Sequence, residues 1–221
     1  MFERQPLHYL LLALLLVLLL LLRTAAMTPG TFRGLSADTW FWLSIGAAVA
    51  HQVYVWFIWR AELHHQFISR LVGRTWGFRL YAVDFSLFLL ARGLTILGLA
   101  RANAGALAWG PPFTHAIALA LLIPWLYLAY SVLRYFGLLR AMGRDHFEPA
   151  FRNRPLVREG IYRVLRNPMY AVGFLILYLP GLLLRSPAAL LAAAFQHAYI
   201  WVHYACTELP DMRRIYGERV R

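Results

Sequence analysis

Six apolar segments separated by polar connections divide this chain, and they limit what it can fold into. A helix needs ~20 consecutive apolar residues to cross a bilayer, with about 17–25 as the usual range. The middle segments reach that length, whereas the first and fifth are shorter. Hydrophobic residues make up 61% of the chain, against roughly 45–50% in a soluble domain, so the surplus must face lipid. The segments cover residues 7–22, 39–59, 80–100, 113–135, 169–184 and 187–206.

This pattern predicts an all-α fold, a polytopic transmembrane bundle of about six helices with a short cytoplasmic helix at the C-terminus. We expect residues 1–221 to form a single membrane domain. Because most of the chain would lie in the bilayer, no separate soluble catalytic domain fits. Any chemistry must come from helix ends and the connections between them.

The first segment has two possible interpretations. A cleaved signal peptide has a positively charged start, a short apolar core and a small-residue cleavage site. Here Glu3 and Arg4 cancel, the leucine-rich core is long, and residues 23–27 make a poor cleavage site. A retained helix is therefore favoured.

The fifth and sixth segments are separated only by Arg185 and Ser186, which predicts a tight helical hairpin over residues 169–206. Pro187 suits the first turn of the second helix, where its missing N–H is not needed. Before the hairpin, residues 136–167 form a long connection that begins as a continuation of the fourth helix. Gly143 is expected to end that helix.

The charge of this chain is strongly positive, at +12, and all 22 basic residues are arginine. A basic protein can indicate nucleic-acid binding, but these arginines flank apolar segments, so no nucleic-acid partner is expected. With a cytoplasmic N-terminus, 17 arginines fall on the cytoplasmic side and four on the other, with Arg92 inside the third segment. The positive-inside rule then favours cytoplasmic N- and C-termini. We expect an integral protein of a bacterial inner membrane.

Two polar motifs frame the predicted hairpin. The first runs from Gly160 to Tyr170, is rich in arginine, and continues directly into the fifth apolar segment. The second begins at Glu208, after the sixth segment, and ends at Tyr216 and Gly217. Together they resemble the C-terminal signature of the integral-membrane methyltransferases. That group includes isoprenylcysteine carboxyl methyltransferases and phosphatidylethanolamine N-methyltransferases, and the resemblance covers residues 154–217.

The resemblance implies a membrane enzyme that uses S-adenosylmethionine. Methyl transfer from a sulfonium is an in-line displacement, so the protein must hold a cationic cofactor and align the nucleophile behind the methyl group. Orientation supplies much of the rate effect in such a reaction. The reaction requires neither a metal nor a covalent intermediate.

The first motif contains side chains suited to that cofactor. Gly160 permits backbone conformations that other residues disfavour. Tyr162 and Tyr170 offer aromatic faces and hydroxyls to a purine, a ribose or the sulfonium, and Asn167 can donate and accept hydrogen bonds. Taken singly, each would also suit an interfacial loop against lipid headgroups.

The resemblance adds further positions. Leu156 and Val157 match residues whose backbone lines the cofactor pocket in that group, and Asn167 stands where the isoprenylcysteine enzymes usually have His. The predicted cofactor-binding residues are Leu156, Val157, Gly160, Tyr162, Asn167, Pro168, Met169, Tyr170 and Glu208.

Three residues are predicted to act on the reaction itself. Glu208 matches the first Glu of the group's pair and could complement the cofactor's amino group or sulfonium, although the second Glu is replaced by Leu209. Arg166 could bind a carboxylate or a lipid phosphate bidentately. His203, five residues before Glu208, has an ordinary pKa of ~6.5 that suits a base, and a purely structural histidine is the alternative.

Ionisable residues also lie inside the apolar segments. Asp84 and Arg92 are eight residues apart, about 80° round a helix, so each needs a partner on another helix. With His51, they would line a substrate cavity or form a structural network. The adjacent pair His64 and His65 points in two directions, so no metal site is expected.

The favoured function is methyl transfer to a membrane acceptor, above all a phospholipid amine of the phosphatidylethanolamine type, because Asn167 replaces His. The alternative acceptors are a thiol or a carboxylate on a hydrophobic molecule, including an isoprenylcysteine-like one. A non-catalytic binding or transport protein on the same scaffold is the alternative from another class. The expected partners are the lipid bilayer and a membrane lipid or hydrophobic substrate, and the sequence leaves the oligomeric state open.

Overall fold

The long helices of the bundle come first in the chain. A computed structural model describes residues 1–152 and 154–217; Arg219 and Arg221, which the orientation count includes, lie outside them. Within these described residues, four helical stretches are long and apolar enough to cross a membrane. This confirms the predicted all-α class. The first elements are α1 (Gln5–Ala26), the short antiparallel strands β1 (Thr31–Phe32) and β2 (Leu35–Ser36), α2 (Ala37–His65), α3 (Phe67–Val72), α4 (Arg74–Ala102) and α5 (Pro111–Ser131), which continues as a π-helical turn over Val132–Phe136.

These helices extend past the apolar segments that predict them, because their polar ends continue the backbone hydrogen bonding. The side chain of Ser36 caps α2 by accepting a hydrogen bond from the backbone N–H of Thr39 at 3.0 Å. Such a cap satisfies one of the otherwise unpaired amides of the first turn.

The predicted continuation of the fourth helix is wrong at one position. Gly137, with a φ of 90°, ends the π-helical turn and redirects the chain. Short helices follow, and Gly143, with a φ of 82°, separates the first two. They are α6 (Leu138–Ala141), α7 (Arg144–Phe147), α8 (Pro149–Arg152) and a 3₁₀ turn over Gly160–Arg163.

The fifth segment is helical but does not form one regular α-helix. The segment consists of α9 (Pro168–Ala171), a 3₁₀ stretch over Gly173–Tyr178, and α10 (Leu179–Leu183). Gly173 has a low helix propensity. Pro180 lacks the N–H that an α-helix would use to bond back to the preceding turn. The two residues bracket the 3₁₀ stretch that replaces regular α-helix.

The chain then turns back through Arg185 into α11 (Pro187–His203). Pro187 occupies the first position of this helix, as predicted, and the Ser186 hydroxyl caps it by accepting from the N–H of Ala189 at 3.2 Å. A π-helical turn over Tyr204–Glu208 leads into α12 (Leu209–Tyr216), the predicted short C-terminal helix.

The first helix is part of the bundle. Leu12 and Leu19 of α1 are buried in the same core as Ala189 and Ala192 of α11. The imidazole of His8 also lies 2.9 Å from the Tyr199 hydroxyl. These contacts pack α1 against α11 along its length.

The two ends of the bundle are fixed by different polar contacts. At one end, called the far end here, the Asn103 carboxamide accepts from the Ser186 hydroxyl at 2.8 Å and donates to Thr28. At the opposite end, the near end, the Gln5 side chain donates to the carbonyl of Cys206 at 3.3 Å. The start of α1, the end of α2 and the start of α12 therefore meet at the near end.

Candidate functional site

A cavity of about 640 Å³ opens at the near end of the bundle. The polar connection that precedes α9 forms one side of it, and the π-helical turn after α11 forms the other. Its volume lies in the range of about 300–1,000 Å³ that is typical of small-molecule sites. This outer cavity is lined by Phe136, Leu156, Val157, Arg158, Tyr162, Arg163, Arg166, Asn167, Pro168, Met169, Tyr170, Tyr204, Glu208 and Met212.

The structure brings most of the predicted site residues together here. Arg166 and every predicted cofactor-binding residue except Gly160 line the outer cavity. Arg158, Arg163 and Arg166 are exposed at its rim. The rim is therefore cationic, whereas Glu208 is the one acidic side chain among the described residues of the lining.

Gly160 has a different position from the one expected. It lies against α5 rather than in the cavity wall, and its φ of 60° is one that favours glycine. A Cβ there would lie 2.5 Å from the Ser131 Oγ, which accepts a hydrogen bond from the N–H of Ile161 at 3.0 Å. Gly160 thus positions the connection that carries the cavity-lining residues.

Tyr162 presents an unpaired polar atom at the cavity. Its ring stacks on Phe136, with centroids 5.2 Å apart and planes 11° apart. Within the described residues its buried hydroxyl has no hydrogen-bond partner. Burial raises the pKa of that hydroxyl above its ordinary value, so it stays a neutral donor at physiological pH.

A direct contact joins the two polar motifs. The Tyr170 hydroxyl donates a hydrogen bond to Glu208, and the Tyr170 ring lies 4.9 Å from that of Tyr204. Although Glu208 keeps some exposure to the cavities, burial of its carboxyl raises the pKa to about 8. The nearby carboxyls of Asp145 and Asp211 add to the rise, and His146 opposes it. A cation placed beside Glu208 would favour the carboxylate form.

A second, inner cavity of about 220 Å³ lies between α2, α4 and α11. Met169, Tyr170 and Glu208 line both cavities, so these residues form the partition between them. The inner cavity is mostly apolar, with polar groups at its two ends. Its other lining residues are His51, Gln52, Val55, Trp59, Phe85, Leu89, Arg92, Leu138, Ala141, Met142, Phe174, Ile200 and His203.

His203 lines the inner cavity and not the outer one. It is buried, with its ring 6.0 Å from that of Trp59 and 6.1 Å from that of His8. Neither ring nitrogen has a hydrogen-bond partner within the part of the chain that the structure describes. The imidazole can therefore exchange a proton with a group inside the cavity.

The charged residues within the third segment have partners on other helices, as predicted. Asp84 accepts a hydrogen bond from the Tyr54 hydroxyl at 2.8 Å. Arg92 donates through Nε to Gln196 at 2.8 Å, and its Nη1 lies 3.3 Å from His51 Nδ1. Of these, Arg92 and His51 line the inner cavity, whereas Asp84 does not.

A buried ion network supports the near end. Arg60 of α2 pairs with Asp211 of α12 at 2.5 Å, and their side chains are 1% and 3% exposed. His146 stacks on Trp59 at 4.3 Å and lies 3.0 Å from Asp145 and 3.6 Å from Asp211. Burial alone would lower the pKa of His146, but these two carboxylates raise it to about 9. The network thus holds α12 against α2 and α7.

The second half of the chain, where both motifs lie, is similar to a known family. Residues 113–219 match the family model described as phospholipid methyltransferase. This match covers just under half of the chain. A similar curated protein, the phosphatidylethanolamine N-methyltransferase of Malassezia globosa, is 39% identical over 93 residues. The aligned region is 42% of this chain and only 9% of that relative. No solved structure matches the chain.

The matched region does not include every element of the site. Helices α1, α2 and α4 precede residue 113, yet α2 and α4 supply much of the inner cavity. Sequence reasoning also missed Phe136, Tyr204 and Met212 in the outer cavity and the pairing of Arg60 with Asp211. The aromatic spacing near residues 199–204 was a weak signal for Tyr204. No local pattern identifies the other residues, because packing between distant segments places them.

Proposed function

We propose that this protein is an S-adenosylmethionine-dependent methyltransferase whose acceptor is a phospholipid amine of the phosphatidylethanolamine type. The observation that carries the proposal is the shared partition between the cavities. Glu208, Tyr170 and Met169 face a polar cavity at the near end and an apolar cavity between helices. Such a partition lets a soluble cofactor and a membrane acceptor meet at one place.

The outer cavity fits the cofactor by the chemistry of its lining. Tyr162 has a buried hydroxyl without a partner among the described residues, which suits a ribose or purine hydrogen bond. The rim arginines Arg158, Arg163 and Arg166 suit the carboxylate of the methionine moiety. Glu208 suits its cationic groups. When bound, S-adenosylmethionine supplies an electrophilic methyl group.

The residues of the partition have separate tasks in the proposed reaction. Glu208 stabilises positive charge, and the hydrogen bond from Tyr170 orients its carboxylate. An acceptor amine must be neutral to attack, so it has to lose a proton first. His203 lies in the inner cavity with both ring nitrogens unpaired among the described residues, and we assign it to accept that proton.

The bundle gives the proposed site a consistent orientation. Both cavities meet at the near end, where α1 begins and α12 follows α11. The arginine distribution favours the cytoplasm for this end. A cytoplasmic site would have direct access to a soluble cofactor. By the resemblance, Asn167 in place of His is more like the lipid-type or bacterial members of the group, which favours a bacterial inner membrane.

The alternatives predict different products. A thiol or carboxylate on a hydrophobic molecule would also fit the mostly apolar inner cavity. A non-catalytic protein would bind neither the cofactor nor the acceptor productively. The family match at residues 113–219 and the name of the relative favour the phospholipid amine.

Labelled methyl transfer from S-adenosylmethionine decides between these acceptors. The purified protein is incubated with ethanolamine phospholipid, with a hydrophobic thiol, and with an isoprenylcysteine analogue. We expect label in the phospholipid headgroup and little in the others. Label found only in the thiol or the carboxylate would show that the proposed phospholipid acceptor is wrong. If calorimetry detects no cofactor binding, the non-catalytic alternative is favoured.

A further inference from the structure

The deep end of the inner cavity contains a buried cation without a counter-ion. Arg92 is 2% exposed, and no carboxylate pairs with it among the residues that the structure describes. Its Nη2 has no hydrogen-bond partner there, while Nε and Nη1 contact Gln196 and His51. Its guanidinium also lies 4.8 Å from the centroid of the Phe174 ring. A charge at membrane depth is costly unless it is paired, so this arrangement suits an anionic ligand.

Other polar atoms in the same cavity also lack partners. His51 Nε2 and both ring nitrogens of His203 are buried and unpaired within the described residues. With Arg92 Nη2, they give the cavity several hydrogen-bonding atoms that only a ligand or water can satisfy. Apart from Gln52, the walls between them are mostly apolar side chains. The cavity therefore suits a short ligand, or part of a ligand, that has a polar group at each end.

The charges at the two ends of the inner cavity have opposite sign. Arg92 lies at the deep end beside His51, and Glu208 lies at the near end, where His203 packs on Trp59. His51 and Trp59 are eight residues apart on α2, which is about 12 Å along the helix axis. Hydrogen bonds of about 3 Å at each end leave roughly half that length for the ligand. A phosphate joined to an amine through two carbons has that reach.

The cavity also reaches the lipid-facing surface of the bundle. Leu89 of α4 and Leu138 of α6 line it and are 46% and 51% exposed on the outside. Acyl chains could leave between these residues. In a lipid placed this way, the groups keep the order that they have in a bilayer. The amine lies towards the near end, the phosphate lies deeper, and the acyl chains lie deeper still.

We propose that Arg92 binds the phosphodiester anion of the lipid acceptor, which places the lipid amine at Glu208 and His203. This inference rests on the proposed phospholipid methyltransferase function. Arg92 would then favour amines that carry a zwitterionic headgroup over hydrophobic amines without a phosphate. It acts on substrate binding and takes no part in cofactor binding.

The test compares two acceptors in the wild-type protein and in variants. One acceptor is an ethanolamine phospholipid, and the other is a long-chain primary amine without phosphate. We expect Arg92→Gln to raise the KM for the phospholipid at least about tenfold, as the loss of a charge-assisted pair requires, and to leave the KM for the simple amine unchanged. Arg92→Lys should recover part of the phospholipid affinity. Arg101→Gln, an exposed arginine on the same helix, is the matched control and should change neither KM.

Two further measurements keep the result interpretable. Calorimetry with S-adenosylmethionine should give the same affinity for wild type and Arg92→Gln, which shows that the variant is folded. Calorimetry with a short-chain ethanolamine phospholipid measures acceptor binding without turnover. Soluble phosphoethanolamine should compete poorly with this lipid, and equal competition would overturn the assignment to a lipid.

The two proposals fail in different ways. If the wild-type protein methylates no amine, the proposed function fails, and direct lipid binding still tests Arg92. If it methylates the phospholipid but Arg92→Gln affects both acceptors equally, or neither, the role of Arg92 is wrong. Equal methylation of both acceptors by the wild-type protein would also overturn the proposed role of Arg92.

Discussion

The Tyr170 hydroxyl donates a hydrogen bond to Glu208 across 38 positions of the chain. Tyr170 lies in α9, near the start of the broken fifth segment, and Glu208 ends the π-helical turn after α11. The bond joins the two polar motifs at the partition between the outer and inner cavities. Changes to either residue should therefore affect cofactor binding more than folding.

Tyr170→Phe removes this hydrogen bond and keeps the ring that packs on Tyr204. A hydrogen bond to a charged group contributes about 1.5–3 kcal/mol, so we expect S-adenosylmethionine affinity to fall roughly tenfold or more. Calorimetry on the purified protein measures this. Tyr127→Phe, at a tyrosine that is 46% exposed on α5, is the matched control. Equal affinities for Tyr170→Phe and wild type would show that Tyr170 does not orient Glu208 for the cofactor.

Glu208→Gln should change the pH dependence of both stability and binding. The folded pKa of about 8 lies above the ordinary 4.5, so Glu208 costs the folded protein stability as the pH rises through that interval. The variant lacks this cost and should be the more stable protein above pH 8. Thermal unfolding from pH 5 to pH 9 measures the difference.

Binding of a cation beside Glu208 should release the proton that this carboxyl carries at pH 7. Calorimetry with S-adenosylmethionine in two buffers of different ionisation enthalpy measures the number of protons released. We expect up to about one for wild type and none for Glu208→Gln, together with weaker binding by the variant. The same proton release from both proteins would exclude Glu208 as the group that faces the cofactor's charge.

The sequence predicts some parts of this structure much better than others. Leucine-rich runs and arginine placement identify the long helices, because the bilayer demands apolar length whatever the packing. The break of the fifth segment into 3₁₀ and α pieces was not predicted. Hydropathy measures the apolar length of a segment and does not reflect how Gly173 and Pro180 affect its backbone. The presence of Pro180 alone does not predict a break, because prolines also occur within intact helices, as Pro124 does in α5.

In the candidate site, too, some residues could be predicted from the sequence and others could not. The motif residues near Tyr162 and Asn167 could be named from their order and spacing, and they line one cavity. The contact of Gly160 with Ser131 could not be predicted, because the two residues are far apart in the chain. The pairing of Arg92 with His51 and Gln196 likewise depends on how three helices rotate against one another. Local pattern carries no information about that rotation.

Gly160→Ala tests whether this glycine acts through packing. Its φ of 60° and the 2.5 Å approach of a Cβ to Ser131 Oγ make any side chain unfavourable. We expect the variant to lose about 1–3 kcal/mol of stability and to bind the cofactor more weakly, because the connection is displaced. Gly46→Ala on α2, where a Cβ meets nothing within 4 Å, should be close to neutral. Partial recovery in Gly160→Ala with Ser131→Gly would assign the loss to this contact, whereas no recovery would contradict it.

Asp211→Asn should destabilise the near end, because it leaves Arg60 as a buried cation without its counter-ion. Breaking one partner of a buried ion pair typically costs about 3–5 kcal/mol. The matched control is Asp38→Asn, which breaks the Arg23–Asp38 pair, whose side chains are 29% and 51% exposed. Exposed pairs contribute about 0–1 kcal/mol. Chemical unfolding in detergent should therefore separate the two variants, and equal losses would show that the Arg60–Asp211 pair does not hold α12 in place.

The pH profile offers a second test of the same network through His146, which lies 3.6 Å from Asp211. Its folded pKa of about 9 exceeds the ordinary 6.5, so its stabilising effect is complete below pH 6.5 and is lost as the pH rises through 9. His146→Gln should remove that loss, so the stability difference between wild type and variant should shrink from pH 6.5 to pH 10. Thermal unfolding of both proteins over this range measures it. A constant difference would mean that His146 stacks on Trp59 as a neutral ring and contributes no charge to the network.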